Sequence, residues 1–321
     1  MRRWDFLSVL CGVAAAPPLL VCAQQAIPTV GVMSGVSSRR ESTFAEGFVR
    51  YMKELGWEEG RNYHMFFVWT EPHSDQDPAR VSELIAQGAN VIVVFGNRGI
   101  EVALRASATI PIVGMTDDLV KSGFAVSMTH PGGNLTGISL LTSELDLKRL
   151  ELLQEAVPAA KRIGVLADPA TKPSRTQFDE AAHKLSLELV VVDVRNREEL
   201  AQGLDALGSA HIDAVNVLAS PILNNARMFI VERLNQMRLP AIYEWPETAE
   251  EGGLLGYGTR AQLALRQVFG LVAKILRGSR PQDLPIEQPA KFDFVVNLKT
   301  AKEIGLTIPP SILFRADEVI E

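Results

Sequence analysis

Two adjacent carboxylates, Asp117 and Asp118, are the side chains in this sequence best suited to acid–base or metal chemistry. One could act as an acid while the other acts as a base, or the pair could hold a cation. In a second interpretation, one aspartate caps the following segment and the other meets a cationic group on a ligand. Because neighbouring side chains on an extended segment point to opposite sides, only one of the two can face a ligand. We favour the binding interpretation, and the catalytic one stays open.

The motifs that would support catalysis or a cofactor are absent from the sequence. No G-x-G-x-x-G follows an apolar run, and no P-loop pattern occurs. The nucleophile motif G-x-S-x-G is missing too, because the serine of segment 31–35 falls one position late. The five histidines show no i, i+4 pairing of the kind that binds zinc. We therefore expect no cofactor, no metal and no catalytic residue.

The elements that position these residues alternate between apolar runs and amphipathic stretches. Runs such as Val91–Val94 are apolar throughout, which is typical of strands covered on both faces. The strand–helix series occurs twice, in about residues 27–128 and 161–245, and predicts right-handed crossovers between parallel strands. The predicted fold class is α/β, with two doubly wound parallel-sheet lobes. Segments rich in glycine or proline after each series predict three connections between the lobes.

Ligands of open parallel sheets bind beyond the carboxyl ends of the strands, so the residues that follow the apolar runs form the predicted site. They are Ser34, Gly35, Asn97, Thr116, Asp117 and Asp118 in the first lobe, Asp168, Ser220, Tyr243 and Glu244 in the second, and Tyr257 at a lobe boundary. We expect backbone N–H groups around Ser34 and Asn97 to hold an anionic group. Asp117, Asp118 or Glu244 is expected to meet an ammonium, and the two tyrosines to pack on the ligand. Arg98 either pairs with a ligand carboxylate or is an ordinary solvated helix residue.

The N-terminal segment is typical of an export signal. Arg2 and Arg3 precede an apolar stretch, and small residues before Gln24 predict cleavage of a signal peptide comprising residues 1–23. The arginine pair resembles a twin-arginine signal. Segment 19–22 instead resembles a lipoprotein box that ends at Cys22. We favour the lipoprotein interpretation less, because Val21 is bulky where a small residue is expected. Both cysteines lie in this segment, so the mature chain has no thiol to mispair in an oxidising compartment. We expect a periplasmic location, and the net charge of −6 disfavours a nucleic-acid partner.

Several short motifs, in order along the chain, resemble those of one protein family. They are Glu59-Gly60-Arg61-Asn62, Pro131-Gly132-Gly133-Asn134-Leu135-Thr136-Gly137, Lys148-Arg149-Leu150-Glu151-Leu152-Leu153, Leu239-Pro240-Ala241-Ile242-Tyr243, and the C-terminal Ala316-Asp317-Glu318-Val319-Ile320-Glu321. Over about residues 26–321 the chain resembles the substrate-binding proteins of ABC importers, specifically the tryptophan-type group. The segment Thr116-Asp117-Asp118-Leu119 departs from that group's common Gly-Asp-Pro pattern, with Asp117 as an added charge.

The resemblance implies a type I periplasmic-binding fold, in which two lobes joined by a three-stranded hinge close on a ligand. It implies residues 24–138 plus 258–284 for lobe 1, and 139–257 plus 285–321 for lobe 2. The expected function is capture of a small amino-acid-like or carboxylated solute, without catalysis, and its delivery to an ABC permease in the inner membrane. A monomer is expected. Two alternatives remain open, a ligand-sensing subunit for a membrane receptor and a periplasmic enzyme that uses Asp117 and Asp118.

Overall fold

The structure is a computed structural model that describes residues 27–34, 38–70, 75–171 and 175–321. The predicted signal peptide and Gly35 of the predicted site lie outside these ranges. Within them, twelve strands form two sheets. The strands are β1 (Thr29–Ser34), β2 (His64–Trp69), β3 (Ala89–Phe95), β4 (Ile112–Thr116), β5 (Leu135–Ser139), β6 (Arg162–Ala167), β7 (Glu188–Asp193), β8 (Ala214–Val217), β9 (Ala241–Tyr243), β10 (Leu255–Gly258), β11 (Asp293–Asn297) and β12 (Glu318–Ile320). The helices are α1 (Ser38–Glu54), α2 (Asp77–Ala86), α3 (Gly96–Ala106), α4 (Thr142–Ala156), α5 (Arg175–Leu185), α6 (Arg197–Ser209), α7 (Pro221–Asn225), α8 (Arg227–Gln236), α9 (Pro246–Glu250), α10 (Ala261–Leu276), α11 (Leu298–Ile304) and α12 (Pro310–Arg315).

The first lobe is a five-stranded sheet in the order β2-β1-β3-β4-β5, with every neighbouring pair parallel. Helices α1 and α10 cover one face, and α2 and α3 cover the other. Val91 and Val93 lie in the apolar cluster of the first face, whereas Ile92 and Val94 lie in that of the second. The continuous apolar run therefore fills two cores at once, as expected for a strand buried on both sides.

The second lobe is a seven-stranded sheet in the order β12-β11-β10-β9-β8-β6-β7. Its pairs are parallel except β10–β11, which is antiparallel. Helices α4 and α5 lie on one face, and α6 and α8 on the other. The prediction of two α/β parallel-sheet lobes is confirmed. The antiparallel pair was not predicted from the sequence. It forms because β11 re-enters this sheet from the other lobe, and β12 then lies parallel to it.

The chain passes between the lobes three times. It leaves the first sheet after Ser139, returns after Gly258, and leaves again before Asp293. Just before the third passage, the Glu287 N–H donates to the Gly137 carbonyl at 2.9 Å, which ties that segment to β5. The three passages run next to one another and join the lobes, while the precise residue limits of each lobe stay a prediction. Within the described ranges, no helix is both long and apolar enough to cross a lipid bilayer.

Candidate functional site

The strand ends of the two lobes meet across a cleft. A Cβ atom placed on Gly96, at the start of α3, would lie 3.5 Å from Cγ of Pro221, at the start of α7. Trp245 follows β9 of the second lobe but packs against the first lobe's apolar cluster, which includes Phe95 and Met115. The lobes are therefore in contact near these strand ends, and the role of the predicted residues in binding stays a prediction.

On the first-lobe wall, a hydrogen bond joins two of the predicted residues, and a third bonds to the end of β2. The Thr116 hydroxyl donates to Oδ1 of Asn97 at 2.6 Å, and the main-chain oxygen of the buried Ser34 accepts from the Thr70 N–H at 3.1 Å. Helix α3 begins at Gly96, whose φ of +74° is a left-handed conformation that favours glycine. The residue before the helix makes no side-chain cap to this helix start, and uncapped N–H groups at a helix start favour negative charge. Binding of an anionic ligand group there stays a prediction.

Arg98 lies in the first turn of α3, next to Asn97. Its Nε lies 3.6 Å from Oδ2 of the buried Asp77, and its side chain is 39% exposed. The carboxylate of Asp77 also accepts from the Thr70 hydroxyl at 2.7 Å. The guanidinium is thus partly balanced by Asp77 and still reaches solvent, so a role toward a ligand carboxylate stays a prediction.

Both carboxylates of the adjacent pair have partners inside the protein. Asp117 accepts from the Thr142 hydroxyl and the Ser143 N–H, each at 2.9 Å, and from the Ser143 hydroxyl at 2.5 Å. It therefore caps the start of α4 from the end of β4, across the first passage. Asp118 instead accepts the N–H groups of Val120 and Lys121 at 2.9 and 3.0 Å. Their contribution to ligand binding stays a prediction, but neither is an isolated acid or base.

On the second-lobe wall, Asp168 and Ser220 form a buried pair between the ends of β6 and β8. The Ser220 hydroxyl donates to Oδ2 of Asp168 at 2.8 Å and accepts from the Ile222 N–H at 3.1 Å. Asp168 also accepts from the Ala170 N–H at 2.9 Å, and its residue is 1% exposed. The structure brings the two predicted residues together, and their mutual hydrogen bond holds the opening turn of α7 in place.

The two tyrosines occupy different surroundings. Tyr243 is 3% exposed and its ring packs in the apolar core of the second lobe, where burial raises the pKa of its hydroxyl. Tyr257 is half-buried, with its ring centroid 6.4 Å from that of Phe292 and 6.2 Å from that of Phe294. The structure therefore places Tyr243 within the core rather than among the polar strand ends, and contact of either ring with a ligand stays a prediction.

A buried ion pair on α4, which the sequence reasoning missed, lies beside the first and second passages, and we call it and the neighbouring Glu244 the floor of the cleft. Arg149 has no exposed surface, and its Nη2 and Nε lie 2.6 and 3.2 Å from Oδ1 of Asp146. Its Nη1 donates to the Tyr257 carbonyl at 2.8 Å, and Nη2 to the Thr142 carbonyl at 3.3 Å. Thr142 begins α4 just after the first passage, and Tyr257 lies on β10 just before the second, so one side chain ties the start of α4 to the end of β10.

The sequence does carry a signal for this pair. Asp146 and Arg149 are three residues apart and share a helix face with Leu150 and Leu153, which are fully buried. Opposite charges at i, i+3 within an apolar stripe indicate a paired, buried group rather than a solvated one.

Glu244 lies beside the pair, at the end of β9. Burial raises the pKa of Glu244 to about 8; Arg149 opposes this shift, whereas Asp146 and Asp117 add to it. Burial also raises the pKa of Asp146, to about 6, against the attraction of Arg149. The cleft floor thus holds three carboxyl groups around one guanidinium, an arrangement that favours a positive group on a ligand. In the described part of the chain, no three His, Cys, Asp or Glu residues are arranged to hold a metal ion.

Comparison with known proteins identifies the family. The family model described as ABC transporter substrate binding protein matches residues 29–320. The chain belongs to the ABC transporter substrate-binding protein family. A tyrosine-binding protein of Clostridioides difficile (strain R20291) is 24% identical to this substrate-binding protein over 266 residues, which are 81% of this chain and 76% of the relative.

Solved structures show the same fold. An ABC domain from Streptococcus pneumoniae in complex with L-Trp superposes with a TM-score of 0.80 at 23% identity, covering 91% of this chain and 99% of that one. A ligand-free, open substrate-binding protein with adhesive properties from Clostridium difficile gives a TM-score of 0.63 at 23% identity, covering 92% and 99%. The family and the two-lobed fold expected from the sequence of this substrate-binding protein are confirmed.

Proposed function

We propose that this protein captures a small amino-acid-like solute between its two lobes and delivers it to an ABC permease in the inner membrane. The observation that carries the proposal is the acidic group at the floor of the cleft, where Asp146 pairs with Arg149 and the nearby Asp146 and Asp117 help raise the pKa of Glu244. The opposite feature, an uncapped helix start at Gly96, attracts negative charge. A ligand that carries both an ammonium and a carboxylate complements the two.

The side chain of the ligand is proposed to be aromatic. Trp245, which follows Glu244, and Tyr257, on β10 just before the second passage, are both only partly exposed. The indole N–H of Trp245 is buried next to the carboxyl of Glu244. The names of the relatives, a tyrosine-binding protein and a complex with L-Trp, support the same class of side chain.

Binding rather than catalysis is supported by the state of the adjacent aspartates. The oxygens of Asp117 accept hydrogen bonds at the start of α4, and Oδ1 of Asp118 accepts two N–H groups of the following turn. Carboxylates committed in this way are poor general acids and bases, because proton exchange would break the turns they cap. The choice of transport over sensing as the proposed function rests on family membership. We further propose that the protein is exported and acts as a monomer.

Calorimetric titration of the mature protein with L-tryptophan, L-tyrosine and the other common amino acids tests the proposal. A micromolar dissociation constant, about −8.2 kcal/mol, is expected for an aromatic member, together with a rise in melting temperature under saturating ligand. D-Xylose, which has no charged group, is the matched control and should produce no heat. Absence of binding for every amino acid would refute the proposed ligand class.

Small-angle scattering tests the accompanying closure. Because three passages of chain join the lobes as a hinge, ligand should reduce the radius of gyration by stabilising the closed arrangement. An unchanged radius at saturating ligand would contradict closure, although binding itself would stand.

A further inference from the structure

A positive side chain lies at the end of α3 where negative charge is normally favoured. The first turn of this helix contains Arg98 and no acidic residue. The partial positive charge of a helix start repels a cation, so an arginine at this position weakens the helix locally. Proteins accept such departures from local rules mainly at functional sites, and Arg98 is therefore a candidate for a role in binding.

The one charged partner of Arg98 among the described residues is Asp77, the first residue of α2. Nε of Arg98 lies 3.6 Å from Oδ2 of Asp77, and this Nε is buried without a hydrogen-bond partner. Asp77 is almost fully buried and is fixed in place by the Thr70 hydroxyl, which donates to its Oδ1 at 2.7 Å. In the described part of the chain, neither Nη group of Arg98 donates a hydrogen bond. Asp77 thus attracts the guanidinium without occupying its paired donors.

The first turn of α3 lies where the two lobes approach each other. A Cβ atom on Gly96 would lie 3.5 Å from Cγ of Pro221 in the second lobe. The Thr116 hydroxyl at the end of β4 donates to Oδ1 of Asn97 at 2.6 Å and fixes this turn against the sheet. Arg98 follows directly, and 39% of its side chain is exposed. Its guanidinium is therefore held near the carboxyl ends of the first lobe's strands, where open parallel sheets bind their ligands.

We infer that the guanidinium of Arg98 binds the carboxylate of the ligand through its two Nη groups, with Asp77 as a positioning residue. The inference rests on the proposed function and adds to it the side chain that selects for a free carboxylate. A guanidinium presents parallel N–H donors that match the two oxygens of a carboxylate, whereas a lysine ammonium acts as a point charge. The ligand supplies the acceptors that the Nη groups lack, and its negative charge offsets the positive charge at the helix start.

Calorimetric titration with L-tryptophan, L-tyrosine and their carboxamides, L-tryptophanamide and L-tyrosinamide, tests the inference. The carboxamides keep the ammonium and the aromatic ring but have no carboxylate. The wild type should bind an aromatic amino acid about ten- to a hundredfold more tightly than its carboxamide, which is the range for a charge-assisted hydrogen bond. Arg98→Gln should lose most of this preference by binding the amino acid more weakly, while its affinity for the carboxamide stays within a few-fold of the wild type.

Two further variants sharpen the comparison. Arg98→Lys keeps a positive charge beside Asp77 but not the paired donors, so it should retain only part of the preference. Arg105→Gln is the matched control, because it removes a 75% exposed arginine from the last turn of the same helix, where it pairs with Glu101 at 2.5 Å. This control should keep the preference of the wild type.

The outcomes separate this inference from the proposed function. Equal affinity of the wild type for an amino acid and its carboxamide, or an unchanged preference in Arg98→Gln, would overturn the inference and leave the binding function intact. An equal loss in Arg105→Gln would also overturn it, because the effect would then not depend on the position of the charge. Failure of every amino acid to bind would overturn the proposed function and the inference together. If Arg98→Gln does not fold because Asp77 loses its cation, Arg98→Lys and the combination of Arg98→Gln with Asp77→Asn take its place.

Discussion

Replacing Arg149 by methionine tests the floor of the cleft most directly. The side chain has no exposed surface, and it makes four hydrogen bonds, two to Asp146 and one each to the carbonyls of Tyr257 and Thr142. Methionine retains much of the apolar stem, so the lost packing is small. The substitution removes the guanidinium, which among the described residues is the only cation within hydrogen-bonding distance of Asp146.

The expected cost is large because Asp146 stays buried. Removing one partner of a buried ion pair costs about 3–5 kcal/mol, since the remaining charge loses its compensation. Against a typical total of about 5–15 kcal/mol, this is a substantial part of the free energy of unfolding. The loss should also depend on pH. Without Arg149 the pKa of Asp146 rises further above its unfolded value, so the deficit should be greater near pH 8 than near pH 5, where protonation relieves the charge.

Urea denaturation of Arg149→Met and wild type at both pH values measures this effect. Lys148→Met is the matched control, because the neighbouring Lys148 on α4 is 41% exposed and pairs with Glu151 on the surface at 2.6 Å. The control should stay within about 0.5 kcal/mol of the wild type. Adding Asp146→Asn to Arg149→Met should restore part of the loss. A deficit for Arg149→Met no larger than that of the control, or one independent of pH, would refute the reasoning.

Three further predictions concern other parts of the molecule. Gly258→Ala should lower the urea midpoint strongly, since its Cβ would lie 2.2 Å from the main-chain oxygen of Glu244. Gly270→Ala, whose Cβ would meet nothing within 4 Å, should instead gain about 0.5–1 kcal/mol in the free energy of unfolding. The reverse order of stability would contradict the close approach at the second passage. Asp117→Asn and Asp118→Asn should weaken amino-acid binding unequally, one by about ten- to a hundredfold and the other by a few-fold, and two neutral titrations would remove both from the site. N-terminal sequencing of periplasmic protein should begin near Gln24, and an uncleaved N-terminus on cytoplasmic protein, or a lipidated cysteine, would contradict soluble export.

Most of the fold followed from local pattern. The run Val91–Val94 predicted a strand buried on both faces, and its side chains alternate between two apolar clusters. The repeated strand–helix order predicted two parallel sheets, because a helix that returns over a sheet places the next strand parallel to the last. Strands β11 and β12 were not predicted. β12 has only three residues. β11 pairs antiparallel with β10, although α10 of the other lobe lies between these two strands in the chain.

The sequence placed the candidate site at the carboxyl ends of the strands, and the lobes do touch near the ends of β3 and β8, where Gly96 approaches Pro221. Which of the predicted residues bind a ligand stays a prediction. The sequence could not tell that Asp117 caps α4, that Asp168 pairs with Ser220, or that Tyr243 lies in the core. Each of these depends on which neighbour arrives from elsewhere in the chain.

The sequence by itself determined the elements, their order and the ends of the strands, since these depend on the spacing of apolar residues among near neighbours. Only the tertiary structure decided how the charges are used. Arg149 meets a carbonyl 108 residues further along the chain, and Glu244 faces carboxyl groups from two other elements. The energy of a charge depends on its burial and on every partner within a few ångströms, and that environment exists only after the lobes have assembled.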